Sequence, residues 1–134
     1  MSSKVFVDSG FVIALVNRRD QYHQEALKLA DRFESYPILT TDAVLLEIGN
    51  ALVRNYKQQA SEIIDNFLSS EEVTLVNLNQ NLFKQALKLY RMYQDKEWGL
   101  VDCVSFVVMW EANVSQVLTF DQHFAQAGFQ ILKA

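Results

Sequence analysis

Short β-branched runs alternate with stretches of helical periodicity along nearly the whole chain, and this alternation restricts the fold more than any other feature. Lys4–Asp8 (KVFVD), Ile38–Thr40, Val73–Val76 (VTLV), Gln116–Thr119 (QVLT) and Gly128–Leu132 read as strands. Runs that are apolar without a polar alternation fit strands buried on both faces of a parallel sheet. Between them, apolar residues recur at helical spacing: Tyr22, Ala26, Leu29, Ala30 and Phe33, then Val44, Leu45, Ile48, Ala51 and Leu52. Two further stripes run over Ala60–Leu68 and Leu82–Tyr93, and Val101–Trp110 is apolar nearly all round, as in a helix buried on most sides. The pattern predicts an α/β fold of three layers, α/β/α, around a central, mostly parallel sheet of four to five strands. Thr40 or Thr41 is placed to cap the helix after the second strand. With 134 residues, one proline and four glycines, no linker divides the chain, and a single domain over 1–134 is expected.

In open α/β sheets reactive groups collect beyond the carboxyl ends of the strands, where the strand order reverses. Asp8 stands at that end of the first strand, and Asp121 just past the fourth. Asp102 falls in the first turn of the buried helix, where the positive helix end favours a carboxylate. Glu47, one turn from Val44 and Ala51, flanks the apolar face of its helix. Taken singly, each has an ordinary explanation: a helix cap, a partner for the helix dipole, a solvated flank. Four acids reaching one sheet edge instead suggest a site for a hard cation such as Mg²⁺ or Mn²⁺, which prefers oxygen ligands. His23 and His123 lack the spacing of a zinc site. The net charge of −4 argues against a nucleic-acid binder, but setting four of the sixteen acids aside at a metal leaves twelve against twelve Lys and Arg.

VFVDSGFVIAL, TDAVLLEIGNAL, DKEWGLVDCVSF and VLTFDQHFAQAGF resemble, in order, the motifs of PIN-domain ribonucleases, particularly the VapC-like toxins of toxin–antitoxin pairs, from Val5 to about Leu132. The resemblance implies Mg²⁺- or Mn²⁺-dependent hydrolysis of RNA phosphodiesters, leaving 5′-phosphate and 3′-hydroxyl ends. It makes Asp8 and Asp102 the principal metal ligands. Glu47 becomes a direct or water-mediated ligand, and Asp121 an outer or second-metal ligand. A cognate antitoxin is the implied partner. The chain departs from the family where Gly99 and Val101 stand in place of a Ser and a Thr before the third acid, removing two hydroxyls and no carboxylate.

Ser9 and Thr119 adjoin the acids and could orient them. Arg18, Arg19 and Lys96, with His23, Arg54 and Lys57 nearby, could hold substrate phosphates. Trp110 reads as core, and Tyr90 and Tyr93 as overflow toward a homodimer face or an antitoxin groove. Gly49, inside a helix, suggests close packing. The competing readings are a non-catalytic PIN-like module binding RNA or a protein partner, and a phosphohydrolase with Asp8 as nucleophile. Gly10 weakens the second, because it stands where a second Asp is needed. A lone cysteine, Cys103, reads as a buried thiol in a reducing compartment. No signal peptide or membrane span is apparent, so a cytoplasmic location is expected.

Overall fold

A computed structural model describes residues 4–134. Among the described residues five strands are present: β1 (Val5–Val7), β2 (Ile38–Thr41), β3 (Val73–Val76), β4 (Gln116–Leu118) and β5 (Gln130–Ile131). They form one sheet in the order β3-β2-β1-β4-β5, and every neighbouring pair is parallel. The strands are shorter than their sequence runs because the flanking residues leave the ladder. Asp8 already turns into the next helix, and Gly128, at φ 97, shapes the turn before β5.

The helices are α1 (Ser9–Val16), α2 (His23–Arg32), α3 (Asp42–Leu52), α4 (Lys57–Ser69), α5 (Gln80–Met92), α6 (Leu100–Ala112) and α7 (His123–Gln126). α1 packs on α2 and α3, and α3 on α4. The remaining helices pack as a second set, α5 on α6 and α6 on α7, and the two sets meet where α3 touches α6. This grouping follows from the strand order. The chain steps outward from β1 to β2 and β3, then crosses back past β1 to β4, so right-handed crossovers put the two sets of helices on opposite faces. The order reverses between β1 and β4, and a crevice opens beyond their carboxyl ends.

Local chemistry explains the elements. Thr41 caps α3, its hydroxyl oxygen accepting from the Val44 N–H at 3.1 Å, and Asn79 caps α5 through Leu82 N–H at 2.8 Å. Cys103–Met109 is buried without interruption, as the all-round apolar pattern predicts. Phe106 meets Phe124 edge to face at 5.0 Å and Trp98 at 5.1 Å, tying α6 to α7 and to the loop before α6.

Three expectations need correction. Trp110 is not core: it is 48% exposed, tilted against Phe129 at 5.6 Å at the last turn of α6. The stripe on α4 is core only in part: Ala60 is buried, Ile63, Ile64 and Phe67 pack half-buried against the core, and Leu68 is 59% exposed. Gly49 is not forced by close approach, since a Cβ there would meet Ile64 Cδ1 at an ordinary 3.6 Å.

Candidate active site

The crevice beyond β1 and β4 is an open cleft of about 710 Å³. Asp8, Glu47, Asp102 and Asp121 all line it, together with Asp20, and no Lys or Arg among the described residues does. Each acid arrives on a different element, so the cleft depends on the whole fold.

Asp8 ends β1 and begins α1, and it is only 5% exposed. The Thr119 hydroxyl donates to its Oδ2 at 2.7 Å, and the same hydroxyl oxygen accepts from the Asp121 N–H at 3.0 Å. One threonine thus links the ends of two neighbouring strands. Burial raises the Asp8 carboxyl to about 7, with the charges of Asp102 and Glu47 adding to the effect and the Thr119 hydrogen bond opposing it. Glu47, half-buried on α3, accepts from Ser9 Oγ at 2.8 Å. Burial also raises its pKa, the Ser9 hydrogen bond lowers it, and Asp102 and Asp121 raise it further.

Asp102 sits in the first turn of α6 and reaches back to accept from the Gly99 N–H at 3.0 Å. Gly99 therefore serves as the helix cap through its main chain, and the missing hydroxyl leaves the start of α6 intact. Burial raises the Asp102 carboxyl, while the Gly99 and His123 hydrogen bonds lower it. Asp121 forms a tight turn, its Oδ1 accepting from the His123 N–H at 2.9 Å. That turn carries the His123 Nδ1 to 3.1 Å from Asp102 Oδ2 and 3.2 Å from Asp121 Oδ1.

Asp102, Asp121 and His123 each present a ligand atom within 4.8 Å of the others. Several carboxylates share the cleft without a Lys or Arg among them, and the most buried is pushed toward neutrality. A divalent cation with oxygen-rich coordination would fit such a donor set and would supply the missing positive charge.

The structure does not bring the predicted cations to this cleft. Arg18 lines a separate groove with His23 and Tyr56, Arg19 is exposed, and Lys96 Nζ lies 3.7 Å from Asp95 Oδ2. Sequence reasoning passed over His123, because it sought zinc spacing. The signal was its place two residues after Asp121, within reach of that carboxylate by a local turn. Tyr22 and Phe120 also stand on the cleft wall, which their spacing in the sequence does not indicate.

The PIN domain family model matches residues 5–130. The 23S rRNA-specific endonuclease VapC20 of Mycobacterium tuberculosis, in each of two strains, is 30% identical over 127 residues, covering 93% of this chain and 95% of the relative. The crystal structure of M. tuberculosis VapC20, described as a sarcin–ricin loop cleaving toxin, superposes with a TM-score of 0.85 at 29% identity, covering 97% of this chain and 99% of that one. FitAcB from Neisseria gonorrhoeae shares the fold, with a TM-score of 0.63 at 11% identity and 96% of each chain covered. On the family match across nearly its full length, and on the cleft where four motif acids converge, this chain belongs to the PIN domain family.

Proposed function

We propose that this chain is a divalent-metal-dependent endoribonuclease, the toxin of a toxin–antitoxin pair, acting as one domain over residues 1–134 in the cytoplasm. The observation that carries the reading is the convergence of Asp8, Glu47, Asp102 and Asp121 on one cleft in a chain 30% identical to a named endoribonuclease. Mg²⁺ or Mn²⁺ is the proposed cofactor, held by Asp8 and Asp102 with Glu47, Asp121 and the His123 imidazole around them. When bound, the cation lowers the pKa of water for attack on phosphorus and offsets charge on the phosphoryl oxygens.

The chain's own groups do the positioning. Thr119 fixes the Asp8 carboxyl against β4, and Ser9 fixes Glu47 against α1. Holding both acids in place before substrate arrives lowers the reorganisation needed in the reaction. A carboxyl with a pKa near 7 sheds its proton readily as positive charge enters, so the Asp8 carboxyl would ionise on loading. Arg18, Arg19 and Lys96 are proposed to meet RNA phosphates outside the cleft wall, a homodimer is the proposed assembly, and a cognate antitoxin the proposed protein partner.

The test is cleavage of a 23S rRNA sarcin–ricin-loop hairpin, chosen from the activity of the relative. Mg²⁺ or Mn²⁺ should support cutting that Asp8→Asn and Asp102→Asn each abolish with the fold retained by circular dichroism. Cutting that survives in both variants, or in excess chelator, refutes the proposal.

A further inference from the structure

An RNA strand entering the cleft meets five carboxylates and no Lys or Arg among the described residues. Apart from the proposed cation at the acids, its phosphates find no cationic side chain on that wall, so the wall's own side chains hold RNA by neutral contacts. One such contact is already built. Tyr22 and Phe120 both line the cleft, and their rings are stacked 4.4 Å apart and 6° from parallel. Phe120 rests in turn against buried Phe11, at 6.4 Å. The rings therefore form a column rising from the core and ending in Tyr22, which is 41% exposed.

The column is rigid at both attachment points. Asp20 Oδ1 accepts from the Tyr22 N–H at 2.8 Å, and the Asp20 carbonyl accepts from the His23 N–H at 3.0 Å, so the turn carrying Tyr22 is closed before α2 starts. Phe120 lies between Thr119 and Asp121, in the segment that holds the Asp8 and Asp121 carboxylates. The stacking surface and the proposed chemistry thus share one short stretch of backbone. The exposed amides of Gln21 and Gln122 stand on the same wall, able to donate to or accept from a base edge.

We infer that Tyr22, backed by Phe120, is a stacking subsite for one unpaired nucleobase beside the phosphodiester to be cut. A base gains from an aromatic face without any charge, which suits an acidic cleft, and only an unpaired base can leave its neighbours to make the stack. The subsite therefore selects looped or single-stranded RNA over duplex. This inference rests on the ribonuclease reading of the same cleft.

The experiment uses a sarcin–ricin-loop hairpin with 2-aminopurine substituted at loop adenosines, and four proteins: wild type, Tyr22→Phe, Tyr22→Leu and Tyr22→Ala, with Tm and circular dichroism checking each fold. Binding is read from 2-aminopurine quenching in chelator, and cleavage from KM and kcat with Mn²⁺. Wild type and Tyr22→Phe should quench alike. Tyr22→Ala and Tyr22→Leu should lose quenching and raise KM about 5- to 100-fold, with little change in kcat. The failure of Tyr22→Leu, which keeps apolar bulk but lacks a π face, separates stacking from simple packing. Cleavage by all four proteins at one KM would overturn the subsite and leave the nuclease standing. Quenching by wild type without any cleavage would do the reverse, and absence of both would overturn the two together.

Discussion

Replacing Asp8 by Asn should make the metal-free protein more stable at pH 8 and leave it nearly unchanged at pH 4. The folded carboxyl titrates near 7 and its ordinary value is 3.8. In the unfolded chain the proton leaves first as pH rises, so the folded form holds the extra proton between those values. Stability associated with Asp8 is therefore complete below pH 4, falls across the interval, and is fully lost above pH 7. At 1.36 kcal/mol per pH unit, the loss comes to about 4 kcal/mol. Asparagine has the same shape, never ionises, and keeps an oxygen for the Thr119 hydroxyl that now donates at 2.7 Å. Urea denaturation in excess chelator measures the effect. The variant should exceed wild type by about 4 kcal/mol at pH 8, with the difference closing toward zero at pH 4. Equal differences at the two pH values, or a variant weaker than wild type at pH 8, would refute the account of Asp8 as a buried acid short of counter-charge.

Other outcomes follow from the same contacts. Mg²⁺ or Mn²⁺ at about 100 times its Kd should stabilise wild type by about 2.7 kcal/mol and raise Tm by several degrees, with a much smaller rise in Asp102→Asn, as differential scanning fluorimetry would show. Gly49→Ala should stabilise the protein by about 0.5–1 kcal/mol, because α3 gains helix propensity and the new methyl meets Ile64 at ordinary contact distance. A loss of stability in thermal melts would refute the reading that this position has room for a methyl. Thr41→Ala should cost about 1–2 kcal/mol in urea melts, since it orphans the Val44 N–H inside a buried turn.

The β/α alternation was legible because a central parallel strand is covered on both faces, so VFV reads as an unbroken apolar run, while VTLV, at the sheet edge with Thr74 exposed, was marked by its β-branched residues. Thr41 was legible as a cap because capping is a local event, decided within one turn. Strand order was not, and the union of Asp8 with Asp121 depends on it: β1 and β4 pair across most of the chain. Tyr22 shows how a local pattern misleads. Its spacing from Ala26 and Leu29 fits a helix face, but its backbone, at φ −100 and ψ 10, still belongs to the turn before α2, and its ring turns to Phe120. Trp110 was read inward because the residues before it are apolar, yet α6 emerges from its neighbours at that point. The roles of Arg18, Arg19 and Lys96 were drawn from charge alone, which gives no direction in space, and none of them reaches the cleft wall.

The link from Thr119 to Asp8 spans 111 residues of sequence. Synthesis proceeds from the N-terminus, and pairings between distant segments form late in folding. The first strand can pair with β2 early, but the Thr119 partner of its acid arrives only when β4 has been translated and laid beside it. A nascent chain carries three of the four motif acids before the Thr119 hydroxyl that holds the first of them exists. The centre closes only once the segment carrying Thr119 and Asp121 has joined the sheet.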